Sequence, residues 1–195
     1  MNVVPRLSIQ HPRTAGVILN VLALAAYFIV IIMQGWPESL QSTVLATIDA
    51  RSYDAAGRML LGLPSDFTAY DPLAYRPFLF PVLLVSLTSG GSLLPFWVLQ
   101  WGAWMFAINA TWLALRKATG NAWISIAGAL ALAAHPGLIS LSLHGLTEVI
   151  TVSLVAAFLW VWQSDAGSAR KLLGMIALAA CLSVVRPVFI ILLLF

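Results

Sequence analysis

A carboxylate beside an arginine at a water–lipid boundary can draw a proton from a hydroxyl while the guanidinium neutralises a departing phosphate. Three residues of this sequence have the types and settings for that chemistry: Asp49, Arg76 and Glu148. Asp49 falls in the first turns of a stretch with helical spacing. Its local pattern alone reads as a helix-start carboxylate favoured by the dipole. Arg76 precedes Pro77, where the chain turns apolar. A guanidinium there offers a fixed fork of donors at headgroup depth, suited to a lipid phosphate, and serves as well as a snorkelling anchor. Glu148 is the only acid between Asp71 and Asp165 and follows the polar turn from His144 to Thr147. It reads as an ionisable group facing a cavity or as a helix-start cap. His144 fits an ordinary polar contact beside a turn, and His135 before Pro136 carries less signal. Arg186 lies in an apolar run and needs a partner or water, which suggests a hydrated cavity. Pro187 should kink the helix that carries it. The sequence holds no HExxH, Cys/His cluster, GxSxG or P-loop.

The element that must position Asp49 is a helix over about residues 43–61. Leu45, Ile48, Ser52, Ala55 and Met59 follow 3–4 spacing, with Arg51, Asp54 and Arg58 offset from that stripe, so the helix is expected to lie on the membrane. Asp49, Tyr53, Ala56 and Leu60 form an adjoining stripe. Thr47 can cap the start, and Gly62-Leu63-Pro64 ends the helix.

The remaining elements follow from composition. Of 195 residues, 61% are hydrophobic and 9% charged, against about 25% charged in soluble domains. Lipid is therefore the expected solvent, and backbone groups in lipid must be satisfied within helices or closed barrels. The uncharged runs predict an all-α polytopic transmembrane bundle of about five spans: about 15–34, 93–115, 122–142, 147–163 and from 171 onward. The first is too long for a secretory signal core, has no small-residue cleavage site and exits at Gln34-Gly35-Trp36-Pro37, so it reads as an uncleaved anchor. Residues 77–92 are short and broken by Ser, Thr and Gly; they read as a helix dipping into the outer leaflet, with a short crossing as the alternative.

Basic pairs at Arg6/Arg13, Arg116/Lys117 and Arg170/Lys171 place the N-terminus and two loops in the cytoplasm. Five of the seven acids, Glu38, Asp49, Asp54, Asp66 and Asp71, then lie in one outer loop, residues 35–92, carrying juxtamembrane helices. Trp97, Trp101, Trp104 and Trp123 read as interface anchors. Cys181 excludes an intramolecular disulfide and reads as a small core residue. The net charge of +3 sits mostly at span ends and implies no nucleic acid. Residues 1–195 are expected to form one transmembrane domain of a multi-pass inner-membrane protein. Because Phe195 falls inside an apolar run, the chain is expected to be the N-terminal part of a longer protein.

The order of these features resembles a known family. Asp49 through Tyr53, Ala56 and Leu60 to Gly62, then Tyr75-Arg76-Pro77-Phe78-Leu79-Phe80-Pro81, Leu115-Arg116-Lys117, His135-Pro136, Thr147-Glu148 and Gly174 to Arg186-Pro187 are together similar to the GT-C glycosyltransferases. The likeness is to bacterial relatives of protein O-mannosyltransferases and lipid A aminoarabinose transferases. It implies transfer of a sugar from a polyprenyl-phosphate-linked donor to an acceptor outside the cytoplasm. By that resemblance Asp49 and Glu148 are catalytic and share a divalent ion, Mg or Mn. Arg76 contacts donor phosphate, and Asp54, Tyr53, Tyr75, His144 and Arg186 support them. The family often has Asp-Glu where this chain has Asp49-Ala50, and its members carry further spans. A transporter or permease fragment and a non-catalytic membrane scaffold are the alternatives. Transporters place polar groups on broken helices at the midplane, whereas the acids here gather in one loop.

Overall fold

A computed structural model describes residues 12–33, 44–90 and 92–193. Arg6, the exit at Gln34–Pro37, Glu38, Gly91 and Phe195 lie outside those residues. Among the described residues the chain is helical, without strands. The α-helices are α1 (Pro12–Met33), α2 (Ile48–Leu60), α3 (Leu79–Thr88), α4 (Leu94–Thr119), α5 (Ala122–Ala133), α6 (Pro136–Ser142), α7 (Glu148–Gln163) and α8 (Ser168–Val185), with 3-10 segments at Pro72–Ala74 and Pro187–Leu193.

Local chemistry sets the boundaries. Thr47 caps α2 by accepting from the Ala50 amide at 3.1 Å, and Gly62 leaves it with φ +69°, a left-handed turn that favours glycine. Gly120 closes α4 at φ +62°, and Asn121 caps α5 by accepting from the amides of Trp123 and Ile124. Pro136 cannot donate within a continuing helix, so the expected span at 122–142 is broken into α5 and α6, bent by 52°.

Helix α4 is the axis of the bundle, packed along α7 and α5. It runs parallel to α7, since Gln100 meets the start of α7 and Lys117 pairs with Asp165 beyond its end. Small residues, Ala107 and Ala110 on α4 and Ala156 on α7, meet in this contact, and small residues let helices approach closely in lipid. Helix α1 runs the other way, with Asn20 and Asn109 exchanging two amide hydrogen bonds and Ser142 donating to the Tyr27 hydroxyl at 3.0 Å. Two ends follow. A loop end carries α2, α3 and the turns before α4 and α7. A basic end carries the starts of α1 and α8 and the Arg116–Asn121 turn.

Two helices, Thr14–Met33 and Ser168–Val185, are long and apolar enough to cross a membrane, or three if bent α5–α6 is one span. Helix α4, at 26 residues, has the length, about 39 Å. Its Gln100, Asn109 and four tryptophans make it less apolar, and Gln100 and Trp104 face inward. Val17, Ile18, Val21, Phe28, Ile29, Ile32 and Met33 on α1, and Leu172, Leu173 and Ile176 on α8, are exposed. An apolar exterior of this kind is what lipid requires. Helix α3 has ten residues, about 15 Å, half the hydrocarbon thickness.

Three expectations change. Cys181 is exposed, not a core residue. Trp104 is fully buried against Leu19, Tyr27 and Ile108 rather than at an interface, because α1 covers that face of α4. The buried face of α2 is Ala50, Ser52, Tyr53, Ala55, Ala56 and Gly57, while Ile48 and Met59 stay exposed. Ser52 and Ala55 of the first stripe are thus buried, and Tyr53 and Ala56 of the adjoining one pack inward with Ala50 and Gly57, small residues that let α3 approach, while Asp49 stays exposed. At Gly57 a Cβ would collide with the Pro81 carbonyl and stand 2.7 Å from Val85.

Candidate functional site

Tyr53 points from the buried face of α2 onto Phe80 of α3, edge to face at 5.1 Å. That fixed ring supports Arg76, whose guanidinium carbon lies 4.4 Å from its centroid. Arg76 Nε donates to Ser52 Oγ at 2.7 Å, and its Nη2 donates to the Tyr70 hydroxyl at 3.1 Å and to Asp49 Oδ1. Asp71 starts the Pro72–Ala74 turn by accepting from the Leu73 amide at 3.0 Å. Tyr70 stacks edgewise between Phe67 and Tyr75 at 5.0 and 5.5 Å. The geometry is asymmetric: the Arg76 side chain is 16% exposed and that of Asp49 59%. Burial alone would lower the Arg76 pKa, but the hydrogen bonds to Tyr70 and Asp49 and the nearby Tyr53 and Asp49 charges outweigh it and hold it raised. The result is a fixed cation with an open carboxylate at its edge.

The second carboxylate has the same arrangement. Arg186 Nε donates to Thr147 Oγ1 at 3.0 Å, and Nη2 donates to Glu148 Oε1. Thr147 occupies the cap position of α7 without capping it, its hydroxyl being turned to Arg186 instead. Arg186 adopts φ −140° at the end of α8, as a residue before proline must favour. The chain therefore leaves the helix at Pro187 rather than kinking it. The expected partner for Arg186 is present, and it is Glu148. Glu148 Oε2 and Thr151 Oγ1, one turn apart on α7, and Gln100 Oε1 on α4 are buried without a hydrogen-bond partner.

Both pairs belong to the loop end. Gly145 N donates to Val44 O at 2.7 Å, and Leu146 packs in one cluster with Val44, Ala50, Tyr53, Phe80 and Leu84. Gln100 Nε2 donates to Leu146 O at 3.1 Å. The structure thus joins the start of α7 to α2 through backbone and apolar contact. Each acid's ion-pair partner is an arginine. His144 holds the Ser140 carbonyl through Nδ1 at 2.9 Å, Asp54 pairs with Arg58 at 2.7 Å, and the Tyr75 ring is exposed. A cavity of about 780 Å³ lies against the reverse face of α2, between Arg51, Asp54 and Ala55 and residues 65–69, and does not include Asp49, Arg76 or Glu148. Among the described residues no three His, Cys, Asp or Glu side chains come together as metal ligands. Sequence reading missed Ser52, Tyr70, Thr147 and Gln100. Only Ser52, three residues after Asp49 on a helix, left a usable signal there. Compared with family models, with curated proteins and with solved structures, the chain finds no match.

Proposed function

We propose that the loop end is the reaction end of a membrane glycosyltransferase that takes its sugar from a polyprenyl-phosphate-linked donor. The observation that carries this reading is the Asp49–Arg76 pair, a guanidinium fixed on four sides with an open carboxylate beside it. In the transfer, the bond between the sugar anomeric carbon and the phosphate oxygen breaks. The acceptor oxygen bonds to that carbon, and the acceptor proton passes to Asp49. The electron pair leaves on the polyprenyl phosphate, whose charge Arg76 neutralises. The exposed apolar faces of α1 and α8 suit a bilayer, where such a donor dissolves. The arrangement belongs to a multi-pass inner-membrane protein of about five spans, GT-C-like, with its N-terminus in the cytoplasm and the loop end outside.

A divalent ion at Asp49 and Glu148 has little support from these residues. Each carboxylate is already neutralised by an arginine, and a cation beside either guanidinium would be repelled. Glu148 and Arg186 serve in this reading to tie the end of α8 to the start of α7. One observation favours a second reading, a non-catalytic membrane module: each of the two acids already pairs with an arginine of the chain. Binding of a polyprenyl-phosphate analogue to the chain in lipid nanodiscs separates the two. The transferase reading expects saturable binding that Arg76→Ala weakens. Equal, non-saturable partition of parent and variant would leave the module.

A further inference from the structure

At the basic end, α4 and α7 enclose a cleft of about 380 Å³ lined by Leu113, Arg116, Lys117, Trp160, Gln163 and Ser164. Its chemistry is divided. Leu113 and Trp160 give an apolar wall. Arg116, Lys117 and the Gln163 amide give donors at the rim. Arg116 leans towards the Trp112 ring, 5.8 Å from its centroid, and has no carboxylate partner among the described residues. Lys117 pairs with Asp165, whose side chain is 85% exposed. An ion pair so open to water is weak and exchanges readily for another anion.

We propose that this cleft binds the headgroup of an anionic phospholipid. The phosphate bridges Arg116 and Lys117, the Gln163 amide donates to a lipid ester oxygen, and an acyl chain runs along Leu113 and Trp160. Two cations at the edge of an apolar wall fit a charge that arrives attached to a hydrocarbon. A free phosphate would use only the rim. Basic pockets between membrane helices take such headgroups by the same balance of charge and chain burial. The site lies at the opposite end from Asp49 and Arg76, so it stands or falls independently of the transferase reading.

The test is thermal unfolding of the detergent-purified chain with added phosphatidylglycerol or phosphatidylcholine. Phosphatidylglycerol should raise the midpoint and phosphatidylcholine should not. The double variant Arg116→Gln, Lys117→Gln should need roughly thirtyfold more phosphatidylglycerol for the same shift, from the loss of two surface charges. Arg170→Gln with Lys171→Gln, elsewhere at the same end, should respond like the parent. Asp165→Asn, which frees Lys117, should need less lipid, a gain that a misfolded variant cannot imitate. An unchanged requirement in Asp165→Asn, an unchanged response in the Arg116/Lys117 variant, or an equal loss in the Arg170/Lys171 variant would each overturn the site. So would equal stabilisation by glycerol phosphate alone, which would make the occupant a soluble anion.

Discussion

An arginine before a proline is held out of the helix that precedes it, and this chain uses that constraint twice. Arg76-Pro77 and Arg186-Pro187 each dock on the first turn of another helix, with Nε on a hydroxyl and Nη2 on a carboxylate. The planar fork fits two acceptors side by side, which a lysine cannot do. The two copies differ in exposure, and exposure separates their roles. Asp49 is open, so Asp49→Asn should leave folding near the parent and abolish the proposed transfer, measured as sugar released from a labelled polyprenyl donor. Full turnover in that variant would remove the catalytic role. Arg76→Lys should weaken donor-analogue binding less than Arg76→Ala, since the lysine keeps charge while losing the fork. The Arg186 and Glu148 side chains are 38% and 27% exposed. Arg186→Ala should therefore cost about 1–2 kcal/mol, between the values for surface and buried pairs. Adding Glu148→Ala should recover part of that loss in a double-mutant cycle, because the stranded carboxylate goes too. A strictly additive cycle would mean the pair contributes nothing.

Among elements, α2 on α3 is a close joint, with no room for a Cβ at Gly57. Gly57→Ala should force the helices apart at Pro81 and Val85, costing about 1–3 kcal/mol, the usual range for overpacking. The change should appear as a lower unfolding midpoint in detergent. An unshifted midpoint would show that α2 rides loosely and cannot hold Asp49 in place. Much of this layer was legible in the sequence. Thr47 and Gly62 marked the ends of α2 and the charge gaps marked the long helices, whereas the break at Pro136 was passed over in a span read as continuous from 122 to 142. The stripe read as the membrane face of α2 was right to leave Ile48 and Met59 exposed, but it hid that Ser52 and Ala55 turn inward with Ala50, Ala56 and Gly57. In a tight helix crossing the small residues face the partner, and the large ones are left to the surface. The Arg76–Asp49 and Arg186–Glu148 pairs were hidden for another reason. They join positions 27 and 38 residues apart, a closure that no local pattern encodes.

For the whole molecule, sidedness decides whether the loop end can meet a donor and acceptor outside the cell. The contacts fix which turns share an end without reference to charge. Gly16 lies against Trp112, Lys117 against Asp165, and Val44 against Gly145. Residues 116–121 and 164–171 therefore share one end with the start of α1, and 65–75 and 144–148 share the other. Arg116, Lys117, Arg170 and Lys171 all fall at the first end, which the proposed topology, following the positive-inside rule, assigns to the cytoplasm. Gly145 sits in the predicted outer turn but is buried against Leu84 and Val44, so a cysteine there would report packing rather than side. Exposed Ser65 and Ser92 suit one end, and exposed Gly120 and Gly167 the other. With exposed Cys181 replaced by alanine, an impermeant maleimide on intact cells should label Ser65→Cys and Ser92→Cys. Gly120→Cys and Gly167→Cys should label only after permeabilisation. Ser65 and Ser92 flank α3, so labelling of one without the other would mean that α3 crosses the membrane. The inverse pattern at all four positions would put Asp49 and Arg76 in the cytoplasm and end the case for transfer on the outer face.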